Sequence, residues 1–238
     1  MLLVIDIGNT NIVVALFRDG ALSPVGRIYT DPKRTGDEYS IVFRSLLREI
    51  GVSPQDIGAS IVSSVVPALI GPFLSMIEGL TGKKALLVNH ALYHLLPVKI
   101  PPSRAHQIGT DIVCNVLEAY SRFNGPCIVV DFGTALSFAA IGRDGALLGT
   151  AITPGLGIAV QSLVSHTAQL PPVALEAPES TLGANTVDEI QSGIVLGYKG
   201  LVESLIGQFK DEMQRLEGMR PEDVRVIATG GLNSVLSP

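Results

Sequence analysis

The strongest constraint on this chain is an internal repeat. Val4-Ile5-Asp6-Ile7-Gly8-Asn9-Thr10 returns 125 residues later as Val129-Val130-Asp131-Phe132-Gly133-Thr134-Ala135. Each copy runs apolar β-formers into an aspartate, an x-Gly turn and a second apolar run. A lone Asp-x-Gly is more often a solvated hairpin turn than anything else. Its recurrence with the same flanks implies one supersecondary unit used twice, and so two related lobes facing each other across a cleft.

The length agrees. At 238 residues the chain is long for one domain and short for two ordinary ones, and two small lobes suit it. Asn124-Gly125-Pro126 reads as a stop between them, which places an N-terminal lobe over 1–123 and a C-terminal lobe over 124–238. Within the first, the turn signals predict a meander: strand 2–7, strand 11–17, a turn at Asp19-Gly20 and a strand near 25–29. A helix is expected over 37–50, with Ile41, Leu46, Leu47 and Ile50 on its apolar face. Strand 59–66, a helix to about Leu80, strand 84–88 and a helix over 110–123 follow. In the second lobe the repeated strand beginning at Val129 is followed by a second meander at 136–141 and 146–152, with a turn at Asp144-Gly145. Helices near 156–168 and 187–214 and a strand over 224–228 complete the lobe.

Composition excludes several classes. The net charge is −5 without a Lys/Arg block, which argues against nucleic acid or an anionic membrane as a partner. Residues 57–77 and 146–175 carry no Asp, Glu, Lys or Arg. Prolines and polar residues interrupt both, so they read as buried strands and turns rather than spans. Cys114 and Cys127 lack metal-ligand spacing, and the N-terminus lacks the order of a signal peptide. A reducing, cytoplasmic setting is the expectation.

Among motifs, no GxxxxGK[ST] occurs. Gly155-Leu156-Gly157 has Val160 where a dinucleotide fingerprint needs its third glycine. His90 and His94 lie four apart with no third ligand at suggestive spacing. The two Asp-x-Gly turns remain. A glycine lets backbone N–H groups approach phosphate oxygens, and a strand-end carboxylate can hold Mg²⁺ directly or through water. Asp6, Gly8, Asn9 and Thr10 therefore read as a phosphate–metal loop, with Gly230-Gly231 after a late strand where a nucleoside can rest.

DIGNTN (6–11), SSVVP (63–67), GTDIVCN (109–115), DFGTA (131–135), ITPGLGI (152–158), LGANTVDEIQSG (182–193) and ATGGL (228–232) occur in this order over nearly the whole chain. Together they resemble the type III pantothenate kinases of the actin-like acetate-and-sugar-kinase/Hsc70 superfamily. The resemblance implies an α/β fold of two actin-like (ribonuclease H-like) lobes, each a mixed five-stranded sheet with flanking helices. It implies ATP-dependent phosphorylation of pantothenate, the first committed step toward coenzyme A. Mg²⁺, K⁺ or NH₄⁺, and a homodimer with substrate pockets at the subunit interface come with it.

By the same resemblance, Asp6, Gly8, Asn9 and Thr10 form the first phosphate loop, with Asp6 at Mg²⁺. Gly133 and Thr134 lie on the second, beside Asp131 at the monovalent cation, and Gly230 and Gly231 on the nucleotide side. Asp111 matches the general base, with Gly109 and Thr110 beside it at the substrate. Asn185 and Thr186 match the segment reaching into the pantothenate pocket of the partner subunit. Residue by residue, Asp111 has a second reading as charge at a helix N-terminus.

The departures are specific. Ile112 stands where the family has an arginine that helps hold the acidic substrate, and Pro102 or Ile100, depending on the alignment, stands where it has a tyrosine. Arg104 and Lys99 are the candidates to restore the lost charge. Leu136-Ser137-Phe138-Ala139 replaces the usual Thr-Thr-acidic run. Relatives continue past the position of Pro238, so the chain is expected to be shortened or a fragment. A weakened or inactive paralogue with a regulatory role, and a kinase for another small alcohol, are the alternatives these departures leave open.

Overall fold

The computed structural model describes residues 1–231. Leu232 of the ATGGL motif and the chain end at Pro238 lie outside the described residues. Contacts divide the chain into two units, one of residues 1–93 and 105–113, the other of 94–104 and 114–238.

In the first unit β1 (Leu2–Ile7), β2 (Asn11–Arg18) and β3 (Ala21–Tyr29) form the meander, and β4 (Ala59–Ser64) and the short β5 (Leu86–Leu87) extend it. The sheet order is β3-β2-β1-β4-β5. The meander pairs are antiparallel, whereas β1–β4 and β4–β5 are parallel. This is the ribonuclease H-like arrangement. Leu3, Ile5 and Ile7 point one way along β1 and are buried with Ile12, Val14 and Leu16 of β2, as a period of two requires.

Two helices cover that face. α1 (Gly36–Glu49) opens with a capping box, in which the Thr35 N–H donates to the Glu38 carboxylate at 2.7 Å and the Glu38 N–H to Thr35 Oγ1 at 3.3 Å. α2 (Pro67–Thr81) starts with proline at its first position, where no intrahelical N–H is needed, and stops at left-handed Gly82. Phe73 of α2 packs against Tyr39 and Phe43 of α1, with ring centroids 4.7 and 5.7 Å away. Burial of side chains of this size contributes roughly 1.5–3 kcal/mol each.

The face of α1 differs from the expected one. Tyr39, Phe43 and Leu47 are buried, whereas Ile41 is 71% exposed and Ile50 is exposed as well. The aromatic pair wins the core because Tyr39 also satisfies its hydroxyl there. It accepts from the Asp31 N–H and donates to the Asp31 carbonyl, both at 3.0 Å.

The second unit repeats the plan around β6 (Cys127–Phe132), β7 (Ala135–Ile141), β8 (Leu147–Pro154) and β9 (Arg225–Thr229). The order is β8-β7-β6-β9, with an antiparallel meander and a parallel β6–β9 pair. Four strands are present among the described residues where five were expected. α4 (Leu156–His166) follows β8, and α5 (Thr186–Gln191) runs through a π turn at Ser192–Leu196 into α6 (Gly197–Glu217). Leu156, Met213 and partly buried Phe209 pack with Ile128, Val130 and Phe138 of the sheet. α3 (Thr110–Phe123) begins in the first unit and continues in the second. Among the described residues no helix is long and apolar enough to cross a membrane.

Candidate active site

Because β1 alternates, Asp6 lies on the face opposite the Leu3-Ile5-Ile7 core. It is exposed at the end of the central strand, in register with Ser63 of β4. The turn after it is tightly formed. The Gly8 N–H donates to the Asn11 carbonyl at 3.0 Å, and a β-carbon on Gly8 would come within 3.1 Å of that oxygen. Asn9 and Thr10 are exposed at its tip. Thr30, just past β3, holds the turn from beneath: its hydroxyl donates to the Gly8 carbonyl at 2.7 Å and its N–H to the Thr10 carbonyl at 2.9 Å.

The next strand brings the Gly109-Thr110-Asp111 turn to the same face. Ser63 Oγ and Thr110 Oγ1 lie 3.0 Å apart, and Thr110 Oγ1 also donates to the Ser64 carbonyl at 3.2 Å. The start of α3 is thereby fixed beside the strand that flanks Asp6. Asp111 Oδ1 accepts the Ile112 N–H at 2.7 Å. A β-carbon on Gly109 would overlap that same oxygen, so glycine is what lets the carboxylate fold over the helix N-terminus.

Ile112 is 7% exposed and shares the packed stripe of α3 with Val113, Val116 and Ala119. That spacing is an apolar helix face, and a guanidinium in the same direction would need a buried partner. Of the two candidates for a replacement charge, Lys99 is bound to the Asp144 carboxylate, and this contact holds the Lys99 ammonium above and the Asp144 carboxyl below their ordinary ranges. Arg104 donates to Thr150 Oγ1 of β8 at 2.9 Å.

In the second unit the repeat is built the same way. Asp131 ends β6 in register with Thr229 of β9, and its Oδ2 accepts from the Asn115 amide at 2.8 Å. Gly230, at φ +95°, passes so close that a β-carbon would lie 2.6 Å from Asp131 Oδ1 and from the Phe132 backbone. Only glycine fits there. Gly155, the residue before α4, donates its N–H to the Thr134 carbonyl at 3.0 Å. A side chain on Gly155 would overlap the Gly133 and Thr134 carbonyls. Gly133 and Gly230 thus bring bare backbone beside one carboxylate, and Gly155 packs against the turn that carries Gly133 and Thr134.

Asn185 is the N-cap of α5, accepting the N–H groups of Val187 and Asp188 at 3.0 and 3.1 Å; Thr186 beside it is exposed. His90 lies against His106, with centroids 3.9 Å apart and the rings tilted at 50°. Among the described residues no three His, Cys, Asp or Glu side chains gather as a metal cage. The hollow of about 540 Å³ between α1 and α2, lined by Thr35, Asp37, Arg44 and Met76 among others, contains no residue of these loops. Sequence reasoning missed Thr30 and Asn115. Each is a single polar residue, which is a weak signal by itself.

A family model described as type III pantothenate kinase matches residues 2–208. A type III pantothenate kinase of Thermomicrobium roseum is 39% identical over 100% of this chain and 88% of its own length. One of Geobacter sulfurreducens is 38% identical, over 100% and 90%. Among solved structures, a Campylobacter jejuni protein described as a Baf family transcriptional activator is 17% identical. It aligns over 98% of this chain and 85% of that one with a TM-score of 0.53, a likeness of fold. The chain belongs to the type III pantothenate kinase family.

Proposed function

We propose that this protein transfers the γ-phosphoryl group of ATP to the terminal hydroxyl of pantothenate, giving 4′-phosphopantothenate for coenzyme A synthesis. The observation that carries this reading is the placement of Asp111. Its carboxylate sits at the start of α3, and Thr110 beside it is tied to Ser63, the register partner of Asp6. A base and a phosphate loop on one face of one sheet are what an alcohol kinase needs.

In this mechanism Asp111 orients the pantothenate hydroxyl and takes its proton as the oxygen attacks phosphorus. Gly109 and Thr110 line the approach, and Thr186 serves the substrate held by a second copy of the chain. The Asn9 and Thr10 amides and hydroxyl receive phosphate oxygens beside Gly8, while Gly133, Thr134, Gly230 and Gly231 serve the nucleotide in the second lobe. Asp6, exposed near the strand end, suits Mg²⁺, which binds through one or two carboxylates and keeps its waters. When bound, that ion neutralises charge on the phosphates. Asp131, with Gly230 bare against its carboxylate, suits K⁺ or NH₄⁺.

The functional unit is a homodimer in the cytoplasm. Ile152 of β8, Ile158 of α4, Leu182 and Val187 of α5 are exposed in the second unit, Leu182 to 86%, and a second copy of the chain covers apolar surface of this kind. Buried Ile112 favours a second reading, in which the acceptor is another small alcohol that needs no guanidinium at that turn. Assaying phosphoryl transfer to pantothenate and to a panel of small alcohols separates the two. Preference for pantothenate supports the first, and transfer only to another alcohol replaces it.

A further inference from the structure

We propose that Thr30 is a positioning residue for the nucleotide phosphates, acting through the first Asp-x-Gly loop; the proposal rests on that loop being a phosphate site. Thr30 is 3% exposed and touches the loop at two points, its hydroxyl on the Gly8 carbonyl and its N–H on the Thr10 carbonyl. The Gly8–Asn9 peptide is trans, so its C=O and N–H point in opposite directions. Drawing the Gly8 oxygen down onto Thr30 therefore turns the Asn9 N–H up and outward, toward the exposed tip where a phosphate oxygen can accept it.

The post itself is rigid. The next residue, Asp31, is gripped at both its N–H and its carbonyl by the buried Tyr39 hydroxyl. The second unit has a related backbone contact, shifted by one residue and without a side chain: 125 residues on from Thr30, Gly155 donates its N–H to the carbonyl of Thr134, the counterpart of Asn9 rather than of Thr10. There a β-carbon would overlap the loop, so a hydroxyl on the loop from this position is particular to the first lobe. A hydroxyl used only for stability would hold the strand end. This one holds the carbonyl whose own peptide presents the amide.

The test is Mg·ATP binding to the full chain by calorimetry, which needs no assumption about the acceptor alcohol. Thr30→Val keeps the shape and removes the donor, Thr30→Ser keeps the donor, and Thr30→Ala stands in if the valine variant does not fold. The expected result is a Kd for Mg·ATP raised roughly five- to tenfold in Thr30→Val, the size of one lost hydrogen bond, and restored in Thr30→Ser. Steady-state turnover should show the rise in the KM for ATP, with the KM for the acceptor unmoved. Equal Kd values in parent and valine variant would overturn the proposal while leaving the phosphate loop standing. Absence of Mg·ATP binding by the parent itself would overturn both.

Discussion

The carboxylate of Asp111 lies over the α-carbon of Gly109, where any side chain would overlap its Oδ1. Gly109→Ala therefore forces the carboxylate off its present position without removing it. Steady-state kinetics should show kcat lowered by about a hundredfold, the scale of a misplaced reacting group, with the KM for ATP unchanged. An alanine variant with parental kcat would mean that the position of Asp111 does not limit the reaction.

Asn115 orients Asp131 through its amide. Asn115→Leu removes that donor and leaves the carboxylate in place. The concentration of K⁺ or NH₄⁺ giving half-maximal activity should rise by about tenfold or more, as for other groups that orient an ion's ligand. Titrating the cation at saturating substrates reads this directly. An unchanged activation curve would remove Asn115 from the cation site.

Two glycines near the start of α4 should behave oppositely. Gly155→Ala collides with the backbone of Gly133 and Thr134, whereas a β-carbon on Gly157 meets nothing within 4 Å. Thermal unfolding should show Gly155→Ala destabilised by about 1–3 kcal/mol. Gly157→Ala should be neutral or stabilised by up to about 1 kcal/mol, as for alanine replacing glycine within a helix.

Burial pushes the Cys127 thiol up to about 11 from an ordinary value of 9.0. The folded chain keeps this proton where the unfolded chain gives it up. Its contribution is intact below pH 9 and is lost as pH rises from 9 to 11, amounting to about 2–3 kcal/mol. Denaturant unfolding of the parent and of Cys127→Ala across that window should show the parent losing more stability with pH. Parallel curves would contradict the assignment.

Much of this was legible in the sequence, for identifiable reasons. The repeat around Asp6 and Asp131 could be read because alternation, a strand-end carboxylate and a glycine coincide twice; the two sheets then share one strand plan. The helix over 110–123 carried both a polar start and a clear apolar stripe, and its bounds are those of α3. The single helix expected over 187–214 is instead α5, a π turn and α6, because periodicity does not report a local change from i→i+4 to i→i+5 bonding. On α1 the count of aliphatic residues drew the face toward Ile41, whereas aromatic packing at Tyr39 and Phe43 decided it. Thr30 and Asn115 escaped notice because their roles depend on partners 22 and 16 residues away, which no local pattern encodes.

Asp111 is the proposed base of a pantothenate kinase. The most direct measurement is single-turnover transfer from ATP to pantothenate, with Mg²⁺ and NH₄⁺ present, by the parent chain and Asp111→Asn. The expected result is transfer by the parent and a rate about 10²–10⁴-fold lower in the variant, the usual worth of a general base, with Mg·ATP bound equally by both. Equal rates in the two proteins, or no transfer to pantothenate by the folded parent, would contradict it.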